Sequence, residues 1–187
     1  ALADNLDVPA NAFLGRELAV YDTQNGFQLM RLATGRAPQS VALSTSGSIA
    51  YVHNFMDRSI SRFDLTQMLQ THLPAANPLQ PIDVVTNETL SPQVLLGKQH
   101  FYDAADDRLS LDNYMSCATC HNDGDGDGRV WDLGGFGEGV RNTIDLRSKG
   151  VGHGRSHWTG NFDEIQDFEG QIRALNLGTG FLTNPQF

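Results

Sequence analysis

Residues 117–121 read Cys-Ala-Thr-Cys-His, and they use both cysteines of the chain. Two thiols and an imidazole within one turn must address a single rigid body, and the polypeptide on either side has to wrap around that body. The spacing C-x-x-C-H reads as covalent attachment of a c-type haem. Two sulfurs reach two vinyl groups on one edge of the macrocycle, and a histidine directly after the second sulfur can place its imidazole under the iron. Cys117 and Cys120 are therefore the expected thioether residues and His121 the expected proximal ligand of one haem c. Three other readings are weaker. A redox dithiol needs a thioredoxin-like βαβ context that the flanks lack. A zinc site lacks a second close ligand pair. A disulfide between Cys117 and Cys120 closes a very short, strained loop.

Bulk composition narrows the partners. The chain has 187 residues, 40% of them hydrophobic, enough for one sizeable core or two small ones. A formal charge of −9 argues against nucleic acid and anionic membrane. An acidic surface serves solubility or docking to a basic redox protein. No apolar run is long enough to span a bilayer. The chain starts at Ala1 with no visible export signal, and haem c is attached outside the cytoplasm. A mature periplasmic or extracellular protein is the expectation.

Strand patterns crowd the first third: 18–22, 28–32, 39–43, 49–54 and 60–65, separated by turns at Asn25-Gly26, Thr34-Gly35 and Ser46-Gly47. Val20-Tyr21-Asp22 is echoed by Arg62-Phe63-Asp64 about 40 residues later, a period found in propeller blades. The stretch from Pro38 to Asn54 (PQSVALSTSGSIAYVHN) resembles the YVTN-type β-propeller repeat. It covers about one and a half blades, too few to close a ring. The strands then belong either to a longer protein or to an appendage. Pro74, Pro78 and Pro81 suggest an extended linker. The expected organisation is a β-rich, blade-like segment over 1–69, a Pro-rich linker over 70–90 and a c-type haem domain over 91–187. The fold class is α+β.

Two helices are predicted in the haem part. Ser91 as N-cap and Pro92 at the first helical position start one that runs to about Tyr102. Its Gly97-x-x-x-Phe101 step leaves a notch for a crossing helix, as on the first helix of class I cytochromes c. Ile165, Phe168, Ile172 and Leu175 make one apolar stripe of a last helix, capped by Asn161 or Thr159 and ended by Leu177-Gly178. Between them, 122–158 is a glycine-rich loop that a bound macrocycle would organise.

From Leu96 to Arg173 the chain resembles the N-terminal haem domain of bacterial di-haem cytochrome c peroxidases, a superfamily that includes the methylamine-utilisation maturation enzyme. The likeness is carried by Gly97-Lys-Gln-His-Phe101, Asp107-Arg108-Leu-Ser110, Ser116-Cys-Ala-Thr-Cys-His121, Arg141-Asn142-Thr143 and His157-Trp158-Thr159-Gly160. It implies a small helical cytochrome c-like domain, haem c, and either electron transfer or reduction of hydrogen peroxide. Two departures stand out. The family carries two haem motifs and this chain has one. The distal histidine that often precedes the R-N segment is absent from Leu133–Gly139.

Candidates for the second face of the iron are His100, His153, His157, Met56, Met68 and Met115, with His157 first and His153 second. Trp158 is placed to pack on the haem edge. Glu164 and Asp163 suit a distal acid–base role with His157, or a helix N-terminus. Arg141 suits a haem propionate. Asp123, Asp125 and Asp127 alternate with glycine like the first half of an EF-hand loop, and Asp132 partly replaces the missing bidentate glutamate, so calcium is a further expected ligand. Three functions follow: electron transfer through one haem, a peroxidase completed by a second haem domain, or a binding module with structural haem. The partner is accordingly a redox protein or a second haem domain.

Overall fold

A computed structural model of the protein describes residues 15–113, 115–147 and 156–182. Antiparallel strands and short helices make it α+β, as the sequence predicts. Contacts divide the chain into two compact units, residues 1–99 and 100–187.

The first unit is built from six strands, of which the sequence pattern places the first five to within one residue. β1 (Glu17–Tyr21) and β2 (Gln28–Ala33) form a hairpin; β3 (Pro38–Leu43), β4 (Ile49–Asn54), β5 (Ser59–Asp64) and β6 (Asn77–Asp83) form a four-stranded meander in that order. The predicted turns close them, with Gly26 and Gly47 at φ 75° and 73°, where a side chain is strained. β4 alternates strictly: Ala50, Val52 and Asn54 are buried while Ile49, Tyr51 and His53 are half-covered. Its inner residues join Leu18, Phe63 and Leu65 in the core, flanked by Leu32, Val41, Met68 and Ala76. Asn54 reaches across the pair to donate from Nδ2 to Ser59 Oγ at 3.1 Å and Ser61 Oγ at 2.8 Å.

The stretch read as a linker contains structure. α1 (Thr66–Thr71) follows β5, and β6 then pairs along β5. Pro78 and Pro81 misled the reading because β6 is an edge strand, where a missing N–H deprives no neighbour. Pro38 opens β3, the opposite edge, for the same reason.

α2 (Pro92–Tyr102) starts and stops as predicted, with Leu95 N–H donating to Ser91 O at 2.9 Å. Its glycine does not serve as a notch: a Cβ built at Gly97 meets no atom within 4 Å among the described residues. The second unit has α3 (Cys117–Cys120), a hairpin of β7 (Val130–Leu133) and β8 (Gly139–Asn142), and α4 (Glu169–Ala174). The hairpin lies inside the expected loop; Val130-Trp131-Asp132-Leu133 before Gly134-Gly135 is its strand-and-turn signal. The last helix is shorter than predicted. Residues 165–168 form a 3₁₀ turn ahead of α4, and Ile165 is fully outside the packing at 78% exposure. Its start is capped by Asp167, whose Oδ2 accepts from Asp163 N–H at 2.9 Å and Glu164 N–H at 3.2 Å, and not by Asn161 or Thr159.

Candidate functional site

The site grows from a serine. Ser110 is fully buried, and its hydroxyl both donates to Met115 O at 2.9 Å and accepts from Met115 N–H at 3.2 Å. That clamp fixes the chain immediately ahead of α3. Ser116 N–H then donates to Thr119 Oγ1 at 3.0 Å, which satisfies an amide the helix itself leaves unpaired. One turn of helix follows. Cys117 and Cys120 sit three residues apart, and so on one face of it. Both thiols are free and partly covered. Burial pushes both upward from the ordinary thiol range, and the Asp127 carboxylate adds to the effect at Cys120.

His121 ends the turn, its N–H donating to Cys117 O at 2.9 Å. Its Nδ1 lies 2.9 Å from Ile144 O. A backbone carbonyl can only accept, so Nδ1 carries a proton, and the neutral ring presents its lone pair at Nε2. This is the arrangement of a metal-ligating imidazole whose other nitrogen is tethered. Ile144 comes to His121 because 143–146 runs beside 122–127. Leu146 N–H donates to Gly124 O at 2.7 Å, and Thr143 Oγ1 donates to Asp127 Oδ1 at 2.7 Å. Gly126 permits the approach, since a Cβ there would stand 2.8 Å from Thr143 O.

The aspartate run is spent on this framework. Asp123 accepts from Tyr102 Oη at 3.0 Å, and Asp125 pairs with Arg147. Asp127 also accepts from the Trp131 indole at 3.0 Å, and Asp132 from Gly134 N–H at 2.9 Å. Burial opposes the charge on Asp127, yet these donors and Arg129 N–H hold its carboxyl below the ordinary range. No group of three or more His, Cys, Asp or Glu side chains stands ready for a metal ion among the described residues. The four aspartates read as calcium candidates thus face separate partners: Asp123 and Asp125 reach Tyr102 and Arg147, while Asp127 and Asp132 cap their own turns.

The axial candidates separate equally clearly. Met56 is fully buried in the first unit, and Met68 packs on its core. Met115 is held through its backbone by Ser110. His100 Nδ1 lies 3.2 Å from Asp106 Oδ2, with the ring edge-on to Phe181. His153 lies outside the described residues. His157 is surrounded by aromatic and polar side chains. It stacks on Phe162 at 4.6 Å and 11°, meets Phe168 edge-on at 6.1 Å, and places Nδ1 3.0 Å from Asn161 Oδ1 and 3.3 Å from Glu138 Oε1. Trp158 is exposed, and Glu164 is exposed at the 3₁₀ turn. Arg141 lies on β8 with NH1 donating to Val140 O at 3.0 Å and Nε 3.9 Å from Glu138 Oε2.

Sequence reasoning missed Ser110, Ile144, Glu138 and Asn161. Ser110 was visible inside the Asp-Arg-Leu-Ser motif without a role. Ile144 acts through a backbone oxygen, which no side-chain pattern reveals.

The residues fit a covalent haem. Two thiols share one helical face, a tethered imidazole follows, and the second unit is poor in apolar core of its own: Leu109 is its one buried hydrophobic side chain among the described residues, whereas Leu111, Val130, Phe136, Val140 and Leu146 stand exposed. Residues 91–174 match the di-haem cytochrome c peroxidase family. The peroxidase-like segment thus includes α2, the attachment turn, the hairpin and α4. No curated protein and no solved structure matches the chain.

Proposed function

We propose that the chain is a c-type cytochrome that passes single electrons through one covalently held haem. The observation that carries this reading is the His121 imidazole, tethered by Nδ1 to Ile144 O directly after two thiols on one helix face. When bound, haem c supplies a reversible one-electron iron couple. Cys117 and Cys120 hold it by thioethers, which fix its orientation against α3. His121 would hold the iron through Nε2, and His157, with Nδ1 on Asn161 Oδ1, would supply a second imidazole. Two imidazoles suit electron transfer, since ligation then changes little with oxidation state. Arg141 is the cation assigned to a propionate, and Trp158 to the macrocycle edge. Attachment of haem c places the protein in the periplasm or outside the cell. No helix of the described residues is long and apolar enough to cross a membrane. A redox protein or a second haem domain is the partner. The four-stranded meander β3–β6 supports kinship with a propeller blade.

The family match favours a second reading, reduction of hydrogen peroxide, with this segment as one haem domain of a two-haem system. His157 would then accept a proton from peroxide, with the exposed Glu164 as the candidate acid–base group of the following turn.

Mass spectrometry of the exported protein and visible spectra with and without peroxide test both. A mass increment of one haem with low-spin bands indifferent to peroxide is the expected result. A mass equal to the bare polypeptide removes both readings, and bands that respond to peroxide within the mixing time favour the second.

A further inference from the structure

Glu138 is the least explained carboxylate in the second unit. It sits just before β8, and its side chain is 11% exposed, as His157 is at 10%. Oε1 lies 3.3 Å from His157 Nδ1. Oε2 is buried and makes no hydrogen bond among the described residues; Arg141 Nε stands 3.9 Å from it. A carboxylate taken from water without full pairing costs free energy, so its retention asks for a reason.

His157 supplies one. Both atoms that face its Nδ1 are acceptors. Asn161 Oδ1 is identified as the oxygen because Thr159 Oγ1 donates to it at 2.8 Å, and Glu138 Oε1 is a carboxylate oxygen. Nδ1 must therefore donate, so in the neutral ring the nitrogen that presents its lone pair is Nε2. The ring cannot swing free, being stacked on Phe162 and edge-on to Phe168. Its backbone is held as well. His157 has φ 70°, a left-handed conformation a bulky residue adopts at a cost. The tight turn of Ser156 N–H on Phe162 O at 2.7 Å and Gly160 N–H on His157 O at 3.3 Å imposes it. Fixed backbone, fixed ring and fixed tautomer together describe a ligand prepared in advance.

We propose that Glu138 is the positioning residue of His157: its carboxylate fixes the tautomer that presents Nε2 and strengthens that nitrogen as a donor to iron. The inference rests on the proposed haem cytochrome reading. His121 and His157 then share one design with one difference. The tether of His121 is a neutral carbonyl; that of His157 is the Asn161 amide oxygen at 3.0 Å, with the Glu138 carboxylate standing 3.3 Å from the same nitrogen. A carboxylate behind an imidazole makes it the stronger donor and favours the oxidised metal.

The full-length, haem-loaded protein tests this through Glu138→Gln, Glu138→Asp and His157→Ala. The readouts are the attached mass, the oxidised spectrum, the midpoint potential and cyanide affinity, because cyanide must displace His157. His157→Ala should become high-spin with haem still attached. Glu138→Gln should stay low-spin, bind cyanide about tenfold more tightly and show a more positive potential, with Glu138→Asp restoring both toward the parent values. If Glu138→Gln yields no loaded protein, Asn161→Ala, which removes the other Nδ1 acceptor, should show the same cyanide shift. A parent-like spectrum in His157→Ala overturns the inference while leaving haem attachment intact. Parent-like potential and cyanide affinity in Glu138→Gln overturn it too, as does a Glu138→Asp variant as altered as Glu138→Gln. Failure of the underlying reading looks different: the parent protein itself carries no haem mass.

Discussion

At the scale of single residues, His121, the proposed haem ligand, is the sharpest case. His121 depends on Ile144 O for its tautomer, not on any side chain, so its own substitution is the informative one. His121→Ala should leave both thioethers in place, giving the full haem mass, yet lose the parent reduced spectrum. Added imidazole should restore much of it by entering the space the side chain vacates. An unchanged reduced spectrum without imidazole removes His121 from the iron. The pentapeptide that sets this site was wholly legible, because covalent chemistry ties residue type and spacing together. Glu138 was not, because it meets His157 only after the chain has folded back, and a glutamate in a glycine-rich stretch carries no signal of that; Asn161, four residues on, meets it through the local turn. The spacing of the aspartate run and its contacts point to different uses. Its spacing suggests a cation, but Tyr102, Arg147, Trp131 and Gly134 each take one carboxylate.

Among elements, the strands were readable and the last helix only in part. β4 and β5 alternate because one face is buried, and Phe63, 3% exposed, is the largest side chain of that core cluster. Phe63→Ala should cost about 3–5 kcal/mol, read as a lower urea midpoint of the first unit. α4 was overestimated because its stripe of Ile165, Phe168, Ile172 and Leu175 fits a continuous helix. The structure ends α4 early and gives the ensuing segment to a buried carboxylate. Glu169, 3% exposed, accepts from Phe181 N–H at 3.0 Å, Leu182 N–H at 3.1 Å and Arg173 Nε at 2.9 Å. Gly180 passes this carboxylate at φ 81°, and a Cβ there would overlap Glu169 Oε1. Gly180→Ala should destabilise the second unit by at least about 1 kcal/mol from backbone strain alone. The pH dependence has a definite sign. Burial works to raise the Glu169 carboxyl, but the two amides and Arg173 outweigh it and hold the group below its ordinary 4.5. A depressed carboxyl adds stability that is complete above that value and disappears as pH falls through the lower folded one. Glu169→Gln should therefore be less stable than the parent at pH 7, and the gap should narrow on acidification below about pH 4.5. A gap independent of pH would assign the latch to hydrogen bonding without charge.

For the whole molecule the two units differ in what can hold them folded. The first has a contiguous core from Leu18 to Leu65 built from its own side chains. The second buries one large hydrophobe, Leu109, among its described residues, and spends its polar groups on turns around α3 and β7–β8. Ordering each residue costs about 1–2 kcal/mol of backbone entropy, and one buried leucine offsets no more than a few kcal/mol. The remainder has to come from an apolar body the protein wraps, and a covalently tethered macrocycle both provides the area and cannot dissociate on unfolding. The Cys117→Ala/Cys120→Ala double variant, exported without haem, should therefore lose hydrogen-exchange protection at Leu146, Gly180 and Leu111 by 100-fold or more, equivalent to about 2.7 kcal/mol. Amides of β4 and β5, such as Val52 and Phe63, should keep their protection within about twofold. Equal loss in both units would mean that the haem supports the whole chain. Full protection in the second would mean that its turns and latches suffice without a macrocycle, and the argument from its missing core would fall.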